Sequence, residues 1–305
     1  MTQGDDGWEV EQGQRGAGST QQATGRHRRL VVGCGYLGER VARLWREAGD
    51  EVYATTRGHR VDTLARAGLH PVRLDVTSTK TADPLPEVDT VVFAVGRDRG
   101  ADTSMMDLHA GGLRAVLDAL PTSSGPVIYV SSTGVYGQHD GEWVDERSVC
   151  EPTSSGGIAC LAAERLLAAH PRGRNAIVLR LAGLYGRGRV PHLAAVRSGA
   201  LIGGSADAYL NLIHVEDAAA AVVAPGAIGP TGGSTYVVSD GHPPTRGTYV
   251  RWLAARLGVA TPPFSGVGGL GKRVRNRRAV TDLRLQLKHP WYRHGLATMA
   301  RGPQT

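Results

Sequence analysis

The sequence predicts an α/β protein, a doubly wound parallel sheet followed by a smaller C-terminal part. Two observations carry this prediction. Short apolar strands alternate with segments of helical spacing, and several of the strands are continuously apolar. The clearest example is Asp89–Val95, which reads DTVVFAV. Strands of this kind are typical of βαβ units, in which helices cover both faces of the sheet.

The predicted elements alternate regularly along the first part of the chain. A strand at Arg29–Gly33 leads into a helix at Tyr36–Ala48, which has one apolar face and ends before Gly49. The same pattern predicts further strands at Glu51–Thr56, Pro71–Val76, Asp89–Val95, Val127–Ser131 and Ala176–Leu181, and helices at Val61–Ala67, Met105–Leu120 and Glu151–His170.

Composition divides the chain into three parts. Residues 1–27 are polar, rich in Gly and Gln and without periodicity, so we expect a disordered tail. Residues 28–185 hold the alternating pattern. In residues 186–300 the pattern fades and Gly and Pro are frequent, which predicts a smaller part built on the first. The basic run KRVRNRR at 272–278 is expected to be a loop of that smaller part.

Charge and cysteine content narrow the function classes. Hydrophobic residues make up 41% of the chain, the net charge is only +7, and the three cysteines lack zinc-ligand spacing. No apolar run approaches the roughly 18–20 residues of a membrane span. We therefore expect a cytoplasmic protein with no metal, membrane or nucleic-acid partner. Nucleic-acid binding through the basic run is a distant alternative.

A glycine motif follows the first predicted strand and opens the first helix. Gly33, Gly35 and Gly38 match G-x-G-x-x-G, with Tyr36 and Leu37 between the last two glycines. In this context the first glycine permits a tight turn, the second lets a pyrophosphate approach the backbone, and the third lets the helix pack close to the sheet. The motif predicts a Rossmann-type domain that binds NAD(P).

The end of the second strand indicates which cofactor is preferred. Sites that select NAD place an acidic residue there, on the ribose 2′-hydroxyl. This chain has Thr55, Thr56 and Arg57 instead. Because an arginine can pair with a 2′-phosphate, the sequence favours NADP, with NAD as the alternative. The alternative interpretation is that Arg57 is a solvated arginine in a turn and contacts no cofactor.

Several later segments, taken with the glycine motif, resemble one family. The resemblance is to the NAD-dependent epimerase/dehydratase family, an extended branch of the short-chain dehydrogenase/reductases, over residues 28–296. It implies that Asp75 contacts adenine and that the cofactor borders Ala94, Val95 and Gly96. The segments that carry it are LDVTS at Leu74–Ser78, FAVG at Phe93–Gly96, YVSSTGVYG at Tyr129–Gly137, LRLAGLYGRGR at Leu179–Arg189 and NLIHVEDAA at Asn211–Ala219.

The catalytic positions of that family are only partly retained. Active members use a Ser or Thr, a Tyr that transfers the proton and, four residues later, a Lys that lowers the Tyr pKa. Ser132 matches the Ser, but Gly156 stands in place of the Tyr and Cys160 in place of the Lys. Tyr136 is the candidate substitute acid, although a tyrosine at this place more often packs.

The resemblance also implies a set of substrate contacts. Leu210 replaces the Arg with which relatives hold a nucleotide diphosphate, so a UDP-sugar substrate is disfavoured. Arg189 lies on the loop after a parallel strand, where such sheets place ligand contacts. The candidate substrate-binding residues are Ser132, Thr133, Tyr185, Arg189 and Asn211.

Two functions remain open from the sequence. The first is an NADP-dependent oxidoreductase or epimerase with a rearranged site, acting on a small or sugar-like carbonyl or alcohol. The second is a non-catalytic NADP(H)-binding sensor or scaffold. A homodimer through the segments Met105–Leu120 and Gly157–Ala169, as in relatives, is left undecided.

Overall fold

The computed structural model describes residues 26–78, 84–97, 102–228 and 232–297. The predicted disordered tail therefore lies almost wholly outside the described residues. The strands are β1 (Arg28–Val32), β2 (Glu51–Thr56), β3 (His70–Arg73), β4 (Thr90–Phe93), β5 (Val127–Ser132), β6 (Asp140–Val144), β7 (Ile177–Leu181), β8 (Gly183–Tyr185), β9 (Leu212–His214), β10 (Ser234–Val238) and β11 (Gly271–Val274).

Most of the helices lie between these strands in the sequence, and helices cover both faces of the main sheet. They are α1 (Gly38–Glu47), α2 (Val61–Arg66), α3 (Gly112–Ala119), α4 (Ser155–Ala169), α5 (Leu193–Ser198), α6 (Val215–Ile228), α7 (Arg246–Leu257), α8 (Arg277–Asp282) and α9 (Tyr292–Ala297). A π-helical segment, Asp107–Gly111, precedes α3.

Seven strands form one parallel sheet in the order β3-β2-β1-β4-β5-β7-β10. The chain starts in the middle, winds outward to β3, and then returns to build the other half from β4. This reversal puts the switch point between β1 and β4, where open α/β sheets bind ligands. The Rossmann-type doubly wound fold predicted from the sequence is confirmed.

Strand β1 shows why the sheet strands are continuously apolar. Leu30 and Val32 pack in the layer on one face of the sheet, and Val31 packs in the layer on the other. All three side chains are fully buried. Alternate residues of a strand point to opposite faces, so a sheet with two covered faces needs apolar residues at every position.

The boundary predicted at residue 185 does not separate the sheet from the rest of the chain. β10 lies beyond it and pairs with β7, and α6 packs against α1. The basic run at 272–278 is also not a loop: its first part belongs to β11, which pairs with β6, and its last part opens α8. β8 pairs with β9 in a separate two-stranded sheet.

Element ends differ from the predicted ones by a few residues. The first helix begins at Gly38 because residues 34–37 form the turn that carries the glycine motif. The predicted helix Met105–Leu120 contains the π-helical segment. The fourth helix begins at Ser155, where the Ser154 side chain accepts a hydrogen bond from the Gly157 amide and caps it.

Candidate functional site

A cleft follows the carboxyl edge of the sheet. It passes the ends of β2 and β3, crosses the glycine motif after β1, and continues past β4 to β5 and β7. Strands in a sheet are about 4.8 Å apart, so β2 and β5 lie about 14 Å apart across this edge. That span suits an elongated ligand. Arg57 marks one end of the cleft and Ser132 the other.

The three glycines of the motif have three different surroundings. A Cβ on Gly33, whose φ is +90°, would lie 2.7 Å from the Val95 backbone, and a Cβ on Gly38 would lie 2.3 Å from the Gly33 carbonyl oxygen. Both positions therefore require glycine for packing. A Cβ on Gly35 would meet nothing within 4 Å. The packing around Gly35 does not explain a glycine there, but a ligand close to the backbone would.

Two side chains hold the turn that carries the motif through hydrogen bonds, and some of its backbone amides remain without a partner among the described residues. The Gly33 amide donates to Thr55 Oγ1 at 3.0 Å. Arg60 donates to the Cys34 carbonyl at 2.6 Å and pairs with Glu39. No hydrogen bond is made by the amides of Tyr36 and Leu37 within the described part of the chain. These amides at the start of α1 are available to an anion, which the helix dipole also favours.

Positive charge dominates the described residues that line the cleft. The carboxylate among them is Asp75, which accepts hydrogen bonds from the Thr77 amide and hydroxyl. Those bonds and the charge of Arg57 lower the Asp75 pKa. An anionic ligand suits such a lining. The cationic side chains are Arg57, Arg60, Arg97 and Arg189.

At the other end of the cleft, the glycine at 156 leaves space. A Cβ on Gly156 would meet only Met105 Cε, at 3.6 Å, whereas a Cβ on the neighbouring Gly157 would lie 2.1 Å from the Gly134 carbonyl oxygen. Cys160 lines the cleft one turn later, and burial raises the pKa of its thiol. Ser132 Oγ accepts from the Gly134 amide at 3.0 Å.

Tyr136 does not line the cleft. It is 2% exposed, and its hydroxyl accepts a hydrogen bond from Arg180 at 2.9 Å. Arg180 in turn pairs with Glu164 at 2.7 Å, and Glu164 accepts from the Ser131 hydroxyl at 2.5 Å. Burial raises the pKa of Tyr136 to about 12. The geometry makes this tyrosine part of a buried hydrogen-bond network.

The predicted site residues divide into two groups. All the predicted cofactor residues line the cleft except Gly38, which packs beneath it. Of the predicted substrate residues, Ser132 and Arg189 line the cleft. Thr133 and Tyr185 are buried outside it, and Asn211 bridges two backbone groups of β11.

Sequence reasoning missed several side chains of the cleft, among them Arg60 and His109. Arg60, the residue before α2, contacts the glycine turn, and no motif indicates this contact. His109 lines the other end from the π-helical segment, and its imidazole is 7% exposed. The sequence did not predict this position because a single His on a predicted helix does not indicate which face of the helix it occupies.

None of the helices in the described residues combines the length and hydropathy that a membrane span needs. No group of three His, Cys, Asp or Glu side chains among these residues is arranged to hold a metal ion.

Comparison with solved structures finds the same fold over most of the chain. A conserved protein of unknown function from Silicibacter pomeroyi is 28% identical, with a TM-score of 0.74, over 90% of this chain and 98% of its own. A Methylobacillus flagellatus protein named for the NAD-dependent epimerase/dehydratase class is 30% identical, with a TM-score of 0.69, over 90% and 99%. MoeE5, solved with UDP-glucose and NAD, is 24% identical, with a TM-score of 0.74, over 90% and 97%, and shows the fold alone.

The family comparison agrees with the geometry. No curated protein sequence matches the chain significantly. The family model described as "NAD dependent epimerase/dehydratase family" matches residues 29–234, which run from the strand before the glycine motif to the first residue of β10. With the doubly wound sheet, the open glycine turn and the cleft that joins it to Ser132, this match establishes that the chain belongs to the NAD-dependent epimerase/dehydratase family.

Proposed function

We propose that this protein is an NADP-dependent oxidoreductase or epimerase that acts on a sugar-like alcohol or carbonyl with a rearranged proton-transfer site. The observation that carries the proposal is the continuous cleft. The cleft joins the glycine turn to Ser132. At two positions that line it, Gly35 and Gly156, the protein leaves space in which a ligand could lie. A protein that had lost both cofactor and substrate would have no need of this space.

The residues of the cleft fit a dinucleotide. The amides of Tyr36 and Leu37 would receive the pyrophosphate over Gly35, and Asp75 would lie beside the adenine. A bound nicotinamide dinucleotide accepts a hydride from the carbon of an alcohol or returns one to a carbonyl carbon. Arg57, at the end of β2, would meet a 2′-phosphate, which supports NADP as the preferred form.

Substrate binding is proposed at the β5 end of the cleft. Ser132 would orient the reacting oxygen, and Arg189, exposed on the loop after β8, would contact a polar or anionic part of the substrate. MoeE5 and a Streptomyces venezuelae dehydratase, DesIV, share the fold and have been solved with nucleotide ligands and NAD. Those complexes make sugar nucleotides the first substrates to test, although Leu210 replaces the diphosphate-binding Arg.

A second candidate function rests on the family positions that are missing. Gly156 and Cys160 supply neither the phenol nor the cation of the usual Tyr-Lys pair. A protein with this cleft that binds NADP(H) and turns nothing over would be a sensor or a scaffold. Turnover separates the two functions.

The proposal is tested first by cofactor binding. We expect NADPH to bind the wild-type chain and the Gly35→Ala chain to lose at least tenfold in affinity, because the new methyl occupies the space above the turn. Gly203→Ala is the matched control, since its Cβ also meets nothing within 4 Å but lies outside the cleft. Calorimetry gives both affinities. Equal NADPH affinities for all three chains would contradict a dinucleotide site at the Gly35 turn.

Turnover is tested next with UDP-glucose, UDP-glucuronic acid and dTDP-glucose in the presence of NADP⁺, and with simple ketones in the presence of NADPH. NADPH absorbance reports net oxidation or reduction, and analysis of the sugar products reports epimerisation, which leaves the cofactor unchanged overall. We expect slow turnover by the wild-type chain. The double variant Gly156→Tyr with Cys160→Lys restores the usual pair, and a Cβ at position 156 would meet only Met105 Cε, at 3.6 Å. A gain of about 10²–10⁴-fold, the contribution of a positioned acid/base, would mean that no side chain of the wild-type chain fills that role. Tight NADPH binding without turnover in either chain would favour the sensor.

A further inference from the structure

His109 is a buried titratable side chain that the proposed function leaves unused. It lies on the π-helical segment Asp107–Gly111, which inserts an extra residue into the turn before α3. Its imidazole lines the cleft at the same end as Ser132 and Cys160. Arg57 lies at the opposite end of the cleft, directly after β2, which is three strand intervals or about 14 Å from β5. A dinucleotide anchored at Arg57 and Gly35 therefore directs its nicotinamide toward His109.

One hydrogen bond orients this imidazole. Nδ1 lies 3.1 Å from the hydroxyl of Tyr129, a fully buried residue of β5. No other hydrogen bond to the ring is present among the described residues, so Nε2 is available to a ligand. When Nδ1 carries the ring proton and donates it to the Tyr129 hydroxyl, Nε2 is unprotonated and able to accept a proton from a ligand.

The surroundings of His109 replace those of the missing pair. Tyr129 also interacts with the Cys160 thiol, which stands where the family has its Lys. Tyr129 on β5 and Cys160 on α4 are titratable groups of the neighbouring elements. Glu164, also on α4, is paired with Arg180, and Asp107 on the same segment as His109 is hydrogen-bonded to Ser104. Burial lowers the His109 pKa from its ordinary value, so the ring is neutral near pH 7 and able to accept a proton.

We propose that His109 is the catalytic residue that exchanges the substrate proton in this cleft, in place of the absent tyrosine. The inference rests on the proposed function. In the oxidising direction the alcohol C–H bond breaks and its two electrons leave as hydride to the oxidised dinucleotide. The O–H bond also breaks, its proton moves to Nε2 of His109, and the carbon–oxygen double bond forms. Ser132 holds the same oxygen, and Tyr129 is the positioning residue.

The location is tested by NMR of the histidine rings, without turnover. We expect NADP⁺ to move the His109 resonance and 2′,5′-ADP, which lacks the nicotinamide half, to leave it in place. His59, which lines the Arg57 end, is expected to respond to both ligands. Spectra of His109→Gln and His59→Gln assign the two resonances. A His59 response with no His109 response to NADP⁺ overturns this inference and leaves cofactor binding intact. No response of either ring counts against the proposed function itself.

The chemical role is tested by pH–rate profiles with the substrates of the turnover panel. We expect kcat for alcohol oxidation to fall on an acid limb as the imidazole becomes protonated. Because burial lowers the His109 pKa, this limb should lie at a lower pH than that of an ordinary imidazole. His109→Gln is expected to lose about 10²–10⁴-fold in kcat and this acid limb. Tyr129→Phe keeps the imidazole and is expected to lower kcat and displace the limb. His170→Gln, a histidine outside the cleft bonded to Asp118, is the control.

Each outcome of the kinetic test either supports or contradicts the catalytic role of His109. An unchanged profile in a folded His109→Gln chain with normal NADPH affinity removes His109 from the reaction. Melting curves establish that the variant is folded. Absence of turnover from every chain, with NADPH still bound, overturns both the catalytic role and the proposed enzyme.

Discussion

The choice between the two nicotinamide cofactors is expected to depend on a single side chain, Arg57. A hydrogen bond to a charged group contributes about 1.5–3 kcal/mol, so Arg57→Ala should weaken NADPH binding about tenfold or more and leave NADH binding almost unchanged. Arg66→Ala, on the exposed face of α2, is the control. Calorimetry that shows equal losses for both cofactors would remove Arg57 from the 2′-phosphate site.

Tyr136 is expected to act on stability and not on chemistry. Tyr136→Phe removes the acceptor of a buried Arg180 hydrogen bond, and a buried group left without its partner costs about 1–3 kcal/mol. Urea unfolding is expected to show this loss, while NADPH affinity and kcat stay at wild-type values. A variant with normal stability and no turnover would return Tyr136 to the catalytic site.

Side-chain direction explains why Tyr136 does not line the cleft. Ser132 and Tyr136 are four residues apart in one motif, but the short helix Thr133–Val135 turns the chain between them. Tyr136 then points to Arg180, a residue of β7 far along the sequence. Asn211 is another case, because its partners on β11 follow about sixty residues later. Local spacing carries no record of such distant contacts.

At the scale of elements, α4 offers two adjacent glycines with opposite requirements. Gly156→Ala adds a methyl in open space within the first helical turn, so stability should be unchanged or rise by up to about 1 kcal/mol. Gly157→Ala drives its methyl into the Gly134 carbonyl, and overpacking of this kind costs about 1–3 kcal/mol. Thermal melting of the two variants measures the difference. Equal melting temperatures would mean that the loop before α4 moves to accept the Gly157→Ala methyl group with no loss of stability.

Much of the element pattern was predictable because burial on both faces leaves its mark on every strand residue. The first six sheet strands were located from apolar runs, and the glycine motif marked the switch point. β10 was missed because it follows a Gly/Pro-rich stretch and reads STYVV, with only its second half fully buried. The π-helical segment was missed because one inserted residue does not disturb apolar spacing enough to be seen.

For the molecule as a whole, the buried Asp240 predicts an unusual pH dependence. Its carboxylate accepts from the His242 amide at 2.9 Å, while burial raises its pKa to about 7. An unfolded Asp has a pKa near 3.9, so between about pH 4 and 7 the folded chain holds the extra proton. The contribution of Asp240 to the free energy of unfolding therefore falls as the pH rises through this range.

Asp240→Asn keeps the accepting oxygen and cannot ionise. We expect the variant to be more stable than wild type at pH 8 and the difference to shrink toward pH 4. His214 works in the other direction, because burial lowers its pKa to about 4 and the unfolded chain takes up the proton first as the pH falls. Urea titrations at pH 5 and pH 8 test the prediction, and a constant difference at both pH values would contradict it.

The pairing of β10 with β7 also affects how the chain folds while it is being synthesised. Ile177 lies beside Ser234 in the finished sheet. Synthesis adds about 5–20 residues per second, so β7 emerges and waits several seconds as an unpaired, apolar edge. Edges of this kind recruit other strands and seed aggregation. The nascent protein is therefore most exposed to misassembly in that interval, when a chaperone that covers the β7 edge would raise the yield of folded protein.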